Sequence, residues 1–179
     1  EGNVENDFPQ LYNSVNIQNL WAAFEGNAII AHAGYFPTVM MVEGIPLPVM
    51  GVGGVYTDSR FQGQGLASQL IEKCLEEGRK KGAALAFLWS DKHEFYAKQG
   101  FHLIGRQWAI ELEEKNIPAL QERGEKFGLK RKDFRFVENE INDAFIQQSK
   151  GLLDSYPIGI SRSLEEHQAY IHSGSCQIY

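Results

Sequence analysis

The sequence predicts a mixed α/β fold of the α+β type, with a largely antiparallel central sheet, a strand-loop-helix unit and a helical C-terminal extension. Three observations lead to this prediction. Between residues 19 and 56, apolar segments suited to β-strands are separated by turn sequences at 25–27 and 43–44. After a glycine-rich turn the apolar residues change to helical spacing. Beyond Glu113, a highly charged segment precedes two further helical patterns.

Composition limits the class of protein. With 179 residues, 43% of them hydrophobic and 22% charged, the chain can bury most of its apolar surface in one domain, or in one domain and the beginning of another. The formal net charge of -6 argues against a nucleic-acid partner, whose binding depends on clustered Lys and Arg, and suits an amine-bearing substrate. No apolar run is long enough to span a membrane. We therefore expect neither nucleic acid nor a membrane as partner.

The two cysteines bear on the compartment. Cys74 and Cys176 show no metal-like spacing, and Cys74 falls on the apolar stripe of a predicted helix. We expect neither a metal site nor a disulfide framework. No signal or transit segment is visible, so a reducing cytoplasm is the expected compartment. The chain begins at Glu1 rather than Met, which suggests a processed or trimmed N-terminus.

The predicted elements follow from these patterns. The first part of the chain forms an antiparallel meander of about three strands, the last of which ends at Val55 and Tyr56. An amphipathic helix follows, ended by Gly82, which suits the left-handed cap position. The predicted bounds are helix 65–81, buried strand 84–89, short helix 93–100, extended segments from 101 and over 108–112, and helices 141–156 and 163–172. We place a domain boundary near Lys115, which divides the chain into 1–114 and 115–179.

The turn before the first long helix predicts an anion site. Main-chain N–H groups at a helix start lack intrahelical partners, so a pyrophosphate can accept several of them together. Gly63 and Gly65 let the backbone approach phosphates closely. Arg60 either adds a charged contact or braces the turn. No Gly-Lys-Ser/Thr follows, which excludes a P-loop.

A dinucleotide-binding fingerprint is also disfavoured. Gly51, Gly53 and Gly54 lie inside a strand pattern rather than directly after a first strand, and the preceding region is antiparallel. Glycines within a strand often mark a bulge, although a plain packing reason is equally acceptable here.

Two motifs together carry a resemblance. The arrangement Arg60-x-x-Gly63-x-Gly65, followed by the segment 95–101 (FYAKQGF), resembles the GCN5-related N-acetyltransferase (GNAT) family. Its acyl-CoA motif is Arg/Gln-x-x-Gly-x-Gly/Ala and its second motif is Tyr-x-x-x-Gly-Phe. The resemblance covers residues 19–112.

A finer likeness concerns the segment 88–91 (LWSD), which looks like the corresponding stretch of the Eis-type multidomain acetyltransferases. The tail from residue 160 resembles their linker into a second domain. The family's first strand and following helices do not fit before Asn19, so we expect a fragment or a reduced member of that architecture.

The resemblance implies an acyl-CoA-dependent N-acetyltransferase that uses acetyl-CoA and no metal. The acceptor would be a primary amine on a small molecule or peptide, and by kinship a homo-oligomer is expected. Tyr96 is implied as the general acid; the alternative is that its ring only packs beneath the cofactor. The implied cofactor contacts are Val55, Tyr56, Thr57, Arg60, Phe61, Gln62, Gly63, Gln64, Gly65, Leu66, Ala67, Ser90 and Tyr96.

The general base is the least defined part of this hypothesis. No carboxylate lies on the strand 49–56. Asp91, His93 and Glu94 are weak candidates, each explained more simply as a helix cap or an exposed first-turn residue. His32 is expected to be satisfied within its strand. The missing base leaves a second function open, that of a catalytically silent CoA-binding or interaction module.

Overall fold

A computed structural model describes residues 4–104, 115, 117–126 and 141–173. The described residues fall into two compact units. The first contains residues 4–102 and 141–173, and the second contains Leu103, Ile104, Lys115 and the helix Ile117–Lys126. The boundary predicted near Lys115 stays a prediction, because residues on its C-terminal side occur in both units.

The helices and strands follow one another in the order that the apolar patterns predict, with some additional elements. In chain order they are α1 (Val4–Asp7), β1 (Leu20–Glu25), β2 (Ala28–Val42), β3 (Ile45–Thr57), α2 (Leu66–Lys80), β4 (Leu85–Phe87), α3 (His93–Ala97), α4 (Ile117–Lys126), α5 (Asp143–Asp154), β5 (Ile158–Ser161) and α6 (Leu164–Ile171).

The sheet has the strand order β1-β2-β3-β4. β1, β2 and β3 form the predicted antiparallel meander, and β4 pairs parallel to β3 over only three residues, from Val49↔Leu85 to Gly51↔Phe87. β5 adds to β2 through the pairing of Val39 with Ser161 and its neighbours. The predicted fold class, a mixed and largely antiparallel sheet with helices, is confirmed.

A β-bulge interrupts β3 at its glycine pair. His32 is paired with Tyr56 and Gly34 with Gly53, so two residues of β3 oppose one residue of β2. One of the two is Gly54, whose φ of 62° lies in the left-handed region that glycine adopts without strain. Both explanations offered for this glycine pair apply, because the bulge includes Gly54 and Leu11 packs over Gly53, 3.1 Å from where a Cβ would stand.

The core lies between the sheet and α2. Ala33, Tyr35, Met50 and Val52 from β2 and β3 pack against Cys74, which is fully buried on the predicted apolar stripe. Burial raises the pKa of the Cys74 thiol to about 12, so this cysteine behaves as a small apolar side chain. Cys176 lies outside the described residues.

The opposite face of the sheet is covered by the segment before β1. Side chains alternate along a strand, so Gly34 and Gly53 face away from α2. Leu11, which is 4% exposed, fills the space over them, and its Cδ atoms lie 3.3 and 3.1 Å from where a Cβ would stand on Gly34 and Gly53. This segment carries no repeated apolar pattern, so the sequence did not predict its packing.

Several predicted elements need correction. The strand predicted as buried over 84–89 covers only Leu85–Phe87, and Trp89 is 72% exposed. Phe101–Ile104 forms no regular strand, and the strand predicted over 108–112 lies outside the described residues. α4 falls in the segment read only as charged, and β5 was missed. Both are short elements whose type depends on what they pack against.

Candidate active site

The glycine-rich turn is not helical. Gly63 and Gly65 have left-handed φ values of 78° and 80°, and α2 begins only at Leu66. The main-chain N–H groups of Gly65, Leu66 and Ala67 donate to no acceptor in the part of the chain that the structure describes. Gly63 and Gly65 are exposed, and no atom lies within 4 Å of where a Cβ would stand on Gly63. The turn therefore presents several free donors to an open surface, which suits a pyrophosphate.

Side chains hold this turn without occupying its donors. Arg60 binds Asp58 through two hydrogen bonds, Nε to Oδ1 at 3.0 Å and Nη2 to Oδ2 at 2.8 Å. Asp58 Oδ1 also accepts the main-chain N–H of Arg60. These bonds lower the pKa of Asp58 to about 2, so the carboxylate stays ionised. Asp58 thus holds the Arg60 side chain against the turn, and which of the two roles Arg60 has stays a prediction.

The end of β3 is open on one side. Because pairing with β4 stops at Gly51, the segment from Val52 to Thr57 has no partner strand on that side among the described residues. Gln62 Nε2 donates to the Thr57 carbonyl at 3.3 Å, which joins the strand end to the turn. An extended chain entering between β3 and β4 would meet unpaired main-chain groups beside Val55, Tyr56 and Thr57.

Tyr96 lies on α3 in an aromatic environment. Its ring makes edge contacts with Phe95 at 5.0 Å and Phe101 at 5.9 Å between centroids. Burial raises the pKa of Tyr96, and the nearby Ser90 side chain partly opposes this shift. The phenol is therefore protonated at neutral pH and can donate a proton. Ser90 and Tyr96, both predicted site residues, are thus brought together.

The weak base candidates are not assembled into a site. Asp91, His93 and Glu94 are exposed at the start of α3. The N-cap residue of α3 is Lys92 and no side chain caps the helix, so of the two simpler explanations a cap is not observed and the exposed position is. Ser90 Oγ instead accepts the Lys92 N–H at 3.0 Å.

His32 has a contact that its sequence position did not reveal. Its Nδ1 lies 2.7 Å from the carbonyl oxygen of Gly54 at the bulge, and its ring stacks on Tyr12 at 5.6 Å between centroids. The expectation that His32 is satisfied within its strand holds for Nδ1. No sequence pattern pairs residues 32 and 54, because a bulge's exact position depends on the register of two strands.

A cavity of about 300 Å³ lies apart from these residues. It opens at the edge of β2 between its pairings with β1 and β5, beside Phe36, Pro37 and Thr38, and it reaches Ala169 on α6. None of the predicted site residues lines it. Within the described residues, no three His, Cys, Asp or Glu side chains are grouped to hold a metal ion, and no helix is long and apolar enough to cross a bilayer.

A family model described as an acetyltransferase (GNAT) domain matches residues 4–104. The chain belongs to this family. The prediction of an N-acetyltransferase is confirmed at the level of the family, whose members generally use acetyl-CoA. None of the proteins of curated function matches the sequence.

Solved structures show similarity over about half of the chain. A transcriptional regulator from Bacillus halodurans is 26% identical over 52% of this chain and 65% of its own, with a TM-score of 0.45. A GCN5-related N-acetyltransferase from Kribbella flavida is 24% identical over 46% of this chain and 21% of its own, with a TM-score of 0.43. Glucosamine-6-phosphate N-acetyltransferase from Arabidopsis thaliana is 18% identical over 52% and 66%, with a TM-score of 0.46. This chain thus spans less than two thirds of the first two structures.

Proposed function

We propose that this protein transfers the acetyl group of acetyl-CoA to a primary amine on a small molecule or peptide by direct attack. One observation carries the proposal. The free N–H groups of Gly65, Leu66 and Ala67 lie at the start of α2, directly after the strand whose end is open for an extended chain. A diphosphate attached to a flexible arm is the kind of ligand that this combination suits.

Different segments of the proposed site would bind different parts of acetyl-CoA. The turn from Arg60 to Gly65, with Leu66 and Ala67, would bind the pyrophosphate of acetyl-CoA through main-chain donors. The segment Val55–Thr57 would pair with the pantetheine arm and polarise the thioester carbonyl. Phe61, half-buried beneath the Arg60 guanidinium at 5.6 Å, would support the turn. The thioester supplies an activated acetyl group, and groups of the protein would bind and orient it.

Tyr96 would act as the general acid. A thiolate leaves when the amine attacks the thioester, and protonation by a positioned donor accelerates such a step by about a hundred- to ten-thousand-fold. Ser90, whose side chain lies near Tyr96, would orient the phenol. The formal net charge of -6 favours the approach of a cationic amine.

The likeness to the Eis-type acetyltransferases belongs to this proposal. It depends on the segment 88–91 leading to Phe95 and Tyr96, and it would make the chain the N-terminal acetyltransferase domain of such a protein, or a reduced form of it. A cytoplasmic location and a homo-oligomeric state are proposed on the same ground, without nucleic acid or membrane as partner.

The alternative is a catalytically silent module that binds CoA. The exposed and ungrouped positions of Asp91 and His93 favour it, because neither is placed to take a proton from the amine. Binding and turnover separate the two functions.

The experiment measures acetyl-CoA binding by calorimetry and CoA release with a panel of primary amines, including a diamine, an arylalkylamine and an N-terminal peptide. Binding together with acetylation of at least one amine, verified by mass spectrometry, supports the enzyme. Binding without release of CoA across the panel supports the silent module. Absence of measurable binding contradicts both.

A further inference from the structure

The imidazole of His32 lies directly over the β-bulge. A Cβ on Gly54 would stand only 2.9 Å from Cε1 of the ring, and Nδ1 is 2.7 Å from the Gly54 carbonyl oxygen. Tyr12 covers the ring at an interplanar angle of 29°. The ring is therefore held by the bulge and by a stacked aromatic, rather than free to rotate.

The hydrogen bond to Gly54 determines which nitrogen of His32 is basic. A carbonyl oxygen only accepts hydrogen bonds, so Nδ1 must carry the proton. In the neutral ring the lone pair is then on Nε2. Nε2 has no hydrogen-bond partner among the described residues. It also does not belong to the polar atoms of these residues that are buried without a partner. Nε2 of the neutral His32 ring is therefore an acceptor near the bulge that has no partner among the described residues.

His32 and Tyr96 belong to opposite faces of the sheet. Ala33 and Tyr35 point toward α2, so His32, at an alternate position, points to the other face. α3 lies on the α2 side, because Gln99 after its end hydrogen-bonds Ser68 of α2 at 2.9 Å, and Phe101 packs against the α2 core. His32 thus lies on the face of the sheet opposite to α3, at the bulge that directly precedes Val55.

We propose that His32 is the general base that accepts a proton from the acceptor amine at Nε2. This inference rests on the proposed acetyl transfer and names the residue that the sequence did not supply. The Gly54 carbonyl keeps the proton on Nδ1 before the transfer and stabilises the imidazolium after it, as an orienting acceptor does for a catalytic histidine.

The proton balance is complete with these two side chains. His32 Nε2 takes one proton from the ammonium group, and the neutral nitrogen forms the new C–N bond to the acetyl carbon. The C–S bond breaks, and Tyr96 gives its phenolic proton to the sulfur. Of the two protons left on the nitrogen, one stays in the amide and the other leaves through solvent, which restores Tyr96, while His32 releases its proton to solvent.

The decisive experiment compares amines that differ in their need for a base. In His32→Gln, kcat/KM for an alkyl primary amine accepted by the wild type should fall by about a hundredfold. For methoxyamine, which is already unprotonated at neutral pH, it should change little. An equal loss with both amines, or no loss with the alkyl amine, overturns the assignment. Absence of turnover by the wild type with every amine contradicts the proposed function instead.

A second readout does not depend on turnover. Long-range ¹H–¹⁵N spectra of the wild type, assigned by the signals lost in His32→Gln, should show neutral His32 protonated on Nδ1. A neutral ring protonated on Nε2 overturns the inference whether or not an acceptor is known. His172→Gln, which replaces an exposed histidine directly after α6, is the matched control and should keep full activity. Calorimetry with acetyl-CoA should give the same Kd for His32→Gln as for the wild type, which shows that the variant is folded.

Discussion

The side-chain amide of Gln99 donates a hydrogen bond of 2.9 Å to Oγ of Ser68. Gln99 follows α3, the helix that carries Tyr96, and Ser68 lies in the first turn of α2. The N–H groups of that turn are the candidate pyrophosphate donors. The proposed acid and the proposed phosphate site are therefore linked by one contact between residues distant in sequence.

Gln99→Ala should lower kcat while leaving the Kd for acetyl-CoA nearly unchanged. Loss of one partly buried hydrogen bond costs about 1 kcal/mol, which is enough to misplace α3 without unfolding the protein. Steady-state kinetics and calorimetry give the two constants. Lys98→Ala, at the exposed neighbouring position, is the control, and an equal effect of both substitutions would contradict a role for the bond.

Tyr96→Phe should retain acetyl-CoA binding and lower kcat by about a hundredfold or more. Burial raises the pKa of the phenol, so Tyr96 stays protonated below its raised pKa and loses its proton only at higher pH. The wild-type rate should therefore fall on the alkaline side, above the ordinary range of tyrosine, and this fall should be absent in the variant. An unchanged rate at every pH would remove Tyr96 from the mechanism.

Gly65→Ala should weaken acetyl-CoA binding. Its φ of 80° forces a side chain into the left-handed region, at about 1 kcal/mol, and alters the turn that presents the donors. Gly82→Ala is a close control, since Gly82 has a φ of 88° and open space around it but lies at the far end of α2. Thermal unfolding should report similar destabilisation for both variants, whereas calorimetry should detect weaker binding only for Gly65→Ala. Equal affinities would show that this turn does not bind the ligand.

Arg60 and Asp58 should behave as one unit if Arg60 braces the turn. Arg60→Gln and Asp58→Asn should then weaken acetyl-CoA binding to a similar extent, and the double variant should be no worse than either. If Arg60 contacts the phosphates instead, only Arg60→Gln will weaken binding, and the loss will shrink at high salt. Calorimetry on the four proteins of the cycle distinguishes the two roles.

His167 on α6 should make stability depend on pH. It is buried, with Nε2 2.8 Å from Oγ of Ser149 on α5, and burial together with Arg162 and Lys150 lowers its pKa, against a smaller opposing effect of Asp154. The unfolded chain therefore takes up a proton first as the pH falls below about 6.5. The free energy of unfolding should decrease from pH 7 to 5.5, as measured by urea titration. His167→Gln should lose this dependence and His172→Gln should keep it.

Much of the fold was predictable because its signals are local. The meander shows as two turn sequences between β-rich segments, α2 as a 3.6-residue apolar period, and α6 as a start at Ser163 that forms a full capping box with Glu166. The glycine-rich turn was predictable for the same reason, since glycine adopts left-handed angles without strain and both Gly63 and Gly65 have them. β5 and the packing of Leu11 were not, because each depends on the surface that it meets.

The sequence by itself determined the element types, the glycine turn and the residues of the two family motifs, because these depend on spacing along the chain. Only the tertiary structure decided that Gln99 after α3 bonds Ser68 of α2 and that His32 meets Gly54 at the bulge. Those contacts join residues on different elements, and their geometry follows from strand register and helix docking, which depend on the packing of the whole core.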